Sequence, residues 1–299
     1  MTITKIEKRK WLAKLALTFN YSPYGTQLAR TQRVGPLTIQ KAFYPEGREC
    51  AHIYLLHPPA GIVSGDILHV DLDLEPQAHV LVTTPGANRF YRARDDANIG
   101  SPIQKQITQV NLPAKAKCEH FPLETIVYNG AEGVNQVLVN LTADSHYLGW
   151  DITCLGLPSA GQLFEIGRFS QLNQVYCDNK LIYHDRINVR PDASEGHQQM
   201  HQHMAGLAGY SVFATLLAYA NTEHVNSAMQ ADLIDQLRDT IQQQGLQSEV
   251  SVTHIAELII IRYLGHHAEQ CKQIFILLWQ LLRPHYMHKQ GVVPRIWHT

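Results

Sequence analysis

The sequence predicts a mainly β chain with an α+β portion at its C-terminal end. From about residue 10 to 190 apolar and polar residues alternate with period two, the pattern of half-buried strands. Turn-forming residues punctuate this stretch: Glu46-Gly47, Gly86, Pro102, Asn129-Gly130 and Asp178-Asn179. After Pro191 the texture changes to helical spacing mixed with short strands.

The elements follow in order. Trp11, Ala13, Leu15, Leu17 and Phe19 alternate with Leu12, Lys14, Ala16 and Thr18, a first strand. Leu68, Val70, Leu72 and Leu74 share one face and His69, Asp71 and Asp73 the other. His79–Thr83, the alternation Val137, Val139, Leu141, and Lys180–Tyr183 read as further strands. Many short strands at this spacing predict a layered architecture: sandwich, barrel or β-solenoid. Residues 192–204 read as a polar loop rich in Gln and His, dividing a β-rich body (1–191) from a C-terminal portion (205–299) packed on it as one structural unit. Leu207 to Ala220 is apolar nearly all round, which predicts a buried helix. Ala228 to Gln243 carries Ile234, Leu237 and Ile241 at helical spacing, with Gly245 as C-cap. Val250–Val252 and Leu258–Tyr263 read as strands, and a last helix runs from about His267 to Arg283, where Pro284 ends it.

Composition bounds the function. The chain has 299 residues, 45% of them hydrophobic, and a net charge of -1. No basic block argues for nucleic acid. Five scattered cysteines with no C-x-x-C fit reduced thiols better than a disulfide framework or zinc ribbon. The basic start (Lys5, Lys8, Arg9, Lys10) superficially resembles a signal peptide, but Lys14 interrupts the apolar run. No apolar run reaches the ~18 residues of a membrane span. A soluble, cytoplasmic protein is expected. No P-loop, G-x-S-x-G, H-E-x-x-H or Rossmann glycine string occurs, and no set of nucleophile, base and orienter stands out, so no catalytic activity is expected.

The most informative stretch is His57-Pro58-Pro59-Ala60-Gly61-Ile62-Val63-Ser64-Gly65-Asp66. Its prolines fix φ and its glycines allow positive φ or close approach, more than an ordinary turn needs. Around it, in order, stand Gly35-Pro36-Leu37 with Lys41–Gly47, Thr83–Arg92, Pro122–Tyr128 with Gly130-Ala131, Gly149-Trp150-Asp151 with Cys154-Leu155-Gly156, and the terminal Val293-Pro294-Arg295-Ile296-Trp297-His298-Thr299. Together these resemble the urease accessory protein D family (UreD, also UreH), whose usual form of the first stretch is HPPGGIVGGD. Ala60 and Ser64 replace two of its glycines, Leu123 stands where Gln is usual, and His120-Phe121 replace Trp-Leu.

The resemblance implies stacked β-sheets in a solenoid-like, β-helical arrangement with a few C-terminal helices. It also implies a non-enzymatic scaffold for delivering nickel to apo-urease, in a complex with the bridging accessory protein UreF and the GTPase UreG. No tightly bound cofactor is implied, only transient nickel.

The carboxylates and hydroxyls within these stretches are candidates for a nickel path: Asp66, Thr83, Thr84, Glu124, Asp151 and, in a later strand, Glu165. An interior carboxylate needs a partner or water, and a row of them along a wet path relays a divalent cation through weak sites. The plainer reading is that each caps a turn or pairs with Arg33, Arg89 or Arg92. His197, His201 and His203 are the alternative metal set, of a nickel-buffering protein; imidazole suits nickel, and the first two share a face if helical. An uncharacterised hydrolase would centre on His57, Asp66 and Glu124. His57 otherwise holds the proline turn through a hydrogen bond. Phe90, Tyr91 and Trp150 are core or interface anchors, and Arg295, Ile296 and Trp297 either dock on the protein's own body or meet a partner.

Overall fold

The period-two stretches form strands that build two mixed sheets. The computed structural model describes residues 11–96, 100–191, 199–221, 223 and 225–298. In chain order the strands are β1 (Trp11–Ser22), β2 (Gly25–Val34), β3 (Thr38–Ile39), β4 (Cys50–Leu56), β5 (Asp66–Leu74), β6 (His79–Thr83), β7 (Asn88–Phe90), β8 (Gln104–Leu112) and β9 (Lys117–Phe121). Then come β10 (Thr125–Val127), β11 (Glu132–Leu141), β12 (His146–Leu155), β13 (Arg168–Cys177), β14 (Lys180–Val189), β15 (Val212–Tyr219), β16 (Val250–Ile255) and β17 (Leu258–Gly265). The helices are α1 (Gln199–Gln202), α2 (Ser227–Gln243) and α3 (Ala268–Met287), with a final 3-10 turn at Arg295–His298.

One sheet has seven strands in the order β14-β13-β11-β8-β5-β1-β2; the other has ten, running β16-β17-β15-β12-β9-β6-β4-β3 with β10 and β7 beside β12. Between β4 and β13 successive long strands alternate between the sheets, so long neighbours within each sheet are parallel there. The flanking pairs β1–β2, β3–β4, β13–β14, β12–β15 and β15–β17 are antiparallel.

The inner face of the seven-stranded sheet follows from register. Leu17, Leu72, Val110, Val139 and Val175 lie side by side in one row, and all are buried. They anchor a core filled from the ten-stranded sheet by Ile53, Val80, Val82 and Tyr147. The opposite face of the ten-stranded sheet packs against α2 and α3 in a second core that includes Trp150, Phe275, Leu278 and Trp279.

Two elements differ from expectation. Residues 212–219 form β15, a strand rather than a helix. Phe213 and Leu217 enter the first core, while Val212, Ala214 and Leu216 enter the second. A strand buried on both faces is apolar throughout, as a buried helix is, so hydrophobicity alone cannot separate them. Pro284 lies inside α3 instead of ending it. The helix continues because Tyr286 and Met287 are buried in the second core. As expected, α2 is stopped near Gly245, whose φ is +69°. Asn226 caps its start by accepting the Met229 N–H at 3.0 Å. Among the described residues no helix is long and apolar enough to cross a membrane.

Candidate functional site

The loop joining β4 to β5 is the His57–Asp66 stretch, and backbone bonds pin it. The His57 carbonyl accepts the Ala60 N–H at 2.9 Å. The Ile62 N–H donates to the Arg89 carbonyl at 2.7 Å, and the Ile62 carbonyl accepts the Tyr91 N–H at 3.1 Å. Gly61 lies so close to Tyr91 that an added Cβ would stand 2.2 Å from the ring. Asp66 accepts the Val63 N–H on its carboxylate at 3.0 Å, closing the turn. Ser64 holds Arg94 through its hydroxyl at 2.8 Å and its carbonyl at 3.1 Å. The His57 ring does not hold the turn. Neither of its nitrogens has a hydrogen-bond partner, and burial lowers its pKa; the main chain does that work.

Behind this loop lies a cavity of about 340 Å³. His57, Pro58, Ala60 and Thr84–Arg89 frame one part of it, and Gln106, His120, Thr125, Asn135 and Asp151 line it further in. Register explains the polar lining. The row that begins with apolar Ala13 and Leu68 continues through Gln106, Asn135 and Gln171, and the next row carries Thr108 and Asn173. The inner face is thus apolar towards one end of the strands and polar towards the other.

The polar groups form chains. Asn135 donates to Gln171 at 2.9 Å, Gln171 to Asn173 at 3.1 Å, and Asn173 to the Asp151 carboxylate at 2.7 Å across the two sheets. Asn88 donates to Gln106 at 2.8 Å. Burial pushes the Asp151 carboxyl up to about 7 against the opposing bond from Asn173. Burial pushes His120 down to about 4, which keeps its imidazole neutral. Asn135 Oδ1 and Thr153 Oγ1 are buried oxygens without hydrogen-bond partners. The site therefore presents neutral oxygen donors, the imidazoles of His57 and His120, both pushed down by burial, and one carboxyl poised to ionise.

Of the expected path residues, the structure brings Thr84 and Asp151 to this cavity. Thr84 accepts the Leu123 N–H at 2.9 Å. Glu124 sits between two cavity-lining residues, Leu123 and Thr125, and its own carbonyl accepts the Asn88 N–H. Asp66 is committed to the loop turn. Thr83 points to the helical side, donating to the Phe121 carbonyl at 2.6 Å and accepting Trp297 Nε1–H at 2.8 Å. Glu165 lies in no strand; it is exposed in the loop before β13, where its N–H donates to Asn129. Arg33, Arg89 and Arg92 engage Thr38, the Ala60 carbonyl and Asp95, not these carboxylates.

His197 lies outside the described residues. His201 is half-buried with its pKa lowered by burial, and exposed His203 accepts the Ala205 N–H on Nδ1. Trp297 is buried in the second core beside Trp150 and Trp279, Ile296 packs partly against it, and Arg295 is exposed. Sequence reading missed His120, Asn135 and Asn173. The available signal was phase, since Asn135 falls in step with inward Val137 and Val139.

A family model described as UreD urease accessory protein matches residues 12–298. A protein named urease accessory protein UreD from Psychromonas ingrahamii is 58% identical over 303 residues, covering 99% of this chain and 97% of that protein. Proteins of the same name from Marinomonas sp. and Klebsiella aerogenes are 39% and 36% identical, covering 99% and 98% of this chain and 93% and 98% of their own lengths. The chain belongs to the UreD family of urease accessory proteins.

Proposed function

We propose that this protein is a non-enzymatic scaffold of urease maturation, acting in the cytoplasm on apo-urease together with the bridging protein UreF and the GTPase UreG. Family membership supports the accessory role. The alternation of strands between sheets is read as a flattened solenoid whose interior conducts the cargo.

One observation carries the mechanism: the cavity between the sheets, though largely apolar, is lined by buried Asp151 and a set of neutral polar side chains. Nickel is the cargo. Neutral amide, hydroxyl and imidazole groups hold a divalent ion weakly, and the Asp151 carboxyl, pushed up by burial, exchanges its proton for the ion near neutral pH. Few and weak ligands suit transfer rather than storage.

The test is urease co-expressed with its other accessory proteins, with and without this chain. Nickel-poor, inactive urease only in its absence supports the accessory role; fully loaded urease without it overturns that role. Asp151→Ala combined with His120→Ala, in a variant that still co-purifies with urease, lowers loading if the cavity carries nickel. Unchanged loading removes the cavity route and leaves the accessory role standing.

A further inference from the structure

The helix-facing side of the ten-stranded sheet carries a second set of ligand-bearing side chains, away from the inter-sheet cavity. Parallel register assembles it. Cys50, His79, Lys117 and His146 lie side by side on β4, β6, β9 and β12. Two residues on, and so on the same face, stand His52, Leu81, Glu119 and Leu148. Glu46 joins from the loop before β4. The ligand atoms of Glu46, Cys50 and His52 lie within 4.8 Å of one another, and those of Cys50, His79 and Glu119 do likewise. The Cys50 sulfur is common to both sets.

A buried guanidinium reaches the centre from α3, with Lys117 near Glu119 and Lys289 near Cys50 as further cations. Arg283, fully buried, donates to Glu119 from Nε at 2.9 Å and to Glu46 from its terminal nitrogen at 2.7 Å, and also bonds the Gln290 carbonyl. His79 contacts Glu119 at 2.9 Å and His52 contacts Glu46 at 2.6 Å. Two carboxylates, Glu46 and Glu119, share the Arg283 guanidinium in the interior, where charge is costly unless paired. His52 Nδ1 is buried with no hydrogen-bond partner. Pro284, next to Arg283, removes one backbone hydrogen bond from the helix at that point. A polar pocket of about 490 Å³ reaches His79, with His146 and His288 in the same wall at a ring separation of 5.9 Å.

We propose that Cys50, His79 and Glu119 form a buried site for one borderline divalent transition-metal ion, with His52 or water in the fourth position, and that Arg283 is the internal cation occupying this site when the metal is absent. Thiolate, imidazole and carboxylate together suit zinc, nickel or cobalt rather than magnesium or calcium. On binding, the Cys50 S–H bond breaks, its proton leaves to solvent, and metal–sulfur, metal–nitrogen and metal–oxygen bonds form. Arg283 withdraws from Glu119 and keeps Glu46 and the Gln290 carbonyl. The ion enters past His79 from the polar pocket. The site does not depend on the urease reading, and its failure leaves that reading untouched.

The experiment is titration of the full chain with cobalt(II) alone, read by absorption, because thiolate ligation gives an intense sulfur-to-cobalt charge-transfer band. The wild type develops that band. Cys50→Ser, a near-isosteric change, abolishes it without altering far-ultraviolet circular dichroism. Cys118→Ser, at a buried thiol facing the other core, retains it. Arg283→Met, where it folds, binds cobalt about tenfold more tightly or better, because the metal no longer has to displace a bound cation. Absence of the band at saturating cobalt, or its survival in Cys50→Ser, overturns the proposal.

Discussion

Arg283 on α3 and Glu119 on β9 stand 164 residues apart in the chain and form a fully buried pair joined by hydrogen bonds of 2.9, 3.0 and 3.2 Å. This contact fastens the C-terminal helix to the ten-stranded sheet. Removing one partner of a buried pair leaves an uncompensated charge and costs about 3–5 kcal/mol. Arg283→Met is therefore expected to lower unfolding free energy by that order, measured by urea denaturation in the presence of a chelator. A loss below about 1 kcal/mol, the worth of an exposed pair, would show that Glu119 is not held by this contact.

The same cluster is expected to make the fold acid-labile. Burial alone would raise Glu46 and Glu119. Hydrogen bonds from His52 and Arg283 to the first, and from His79 with the Arg283 charge to the second, outweigh it and hold each at about 2. A depressed folded pKa contributes stability that is present above the ordinary carboxylate range and lost as pH falls towards 2. The wild type should lose stability steeply between about pH 4.5 and 2. Glu119→Gln, less stable at neutral pH, should show a flatter loss over that window; parallel curves would contradict the assignment.

Asp151 and His120 pull in opposite directions with pH. Asp151 has its folded pKa raised to about 7, so between its ordinary carboxylate range and 7 the folded state binds the extra proton, and stability falls as pH rises. His120 has its folded pKa lowered to about 4, so between 4 and the ordinary imidazole value the unfolded state binds the extra proton, and stability rises with pH. The two effects offset each other in the wild type. Asp151→Asn, which keeps an acceptor for Asn173, should unmask the rise. Denaturation curves at pH 5, 6 and 7 check this, and a variant that tracks the wild type at every pH contradicts it.

Ala60 stands at φ +63°, a left-handed conformation that disfavours any side chain. Ala60→Gly is expected to stabilise the chain by up to about 1 kcal/mol, even though glycine gains freedom in the unfolded state. Gly61→Ala should do the reverse, by about 1–3 kcal/mol, because its Cβ would overlap the Tyr91 ring. Thermal denaturation of the two variants gives opposite signs if the loop is built as described.

Trp297 separates a core anchor from a partner anchor. Its ring is buried beside Trp150 and Trp279, and its N–H is bonded to Thr83. Trp297→Ala should cost the isolated chain about 3–5 kcal/mol. Unchanged stability with lost partner binding would instead make the terminus an interface.

Much of the β body was legible in the residues themselves. The alternation through Trp11–Phe19 and Leu68–Leu74 is a local property, set by the two-residue period of a strand, and the buried faces follow it. The His57–Asp66 stretch announced a tight loop because only particular residues fit its backbone. Other features needed the assembled molecule. Residues 212–219 became a strand because β12 and β17 offered hydrogen bonds on both sides while the two cores covered both faces. Pro284 stayed inside a helix because buried side chains beyond it outweighed its missing donor. Asp151 met Asn173, and Arg283 met Glu119, through pairings between distant strands and helices. Sequence by itself determined which residues alternate and where the chain turns, since those depend on neighbours along the backbone. Only tertiary structure decided which polar side chains face one another inside, because that depends on register between strands far apart in the chain.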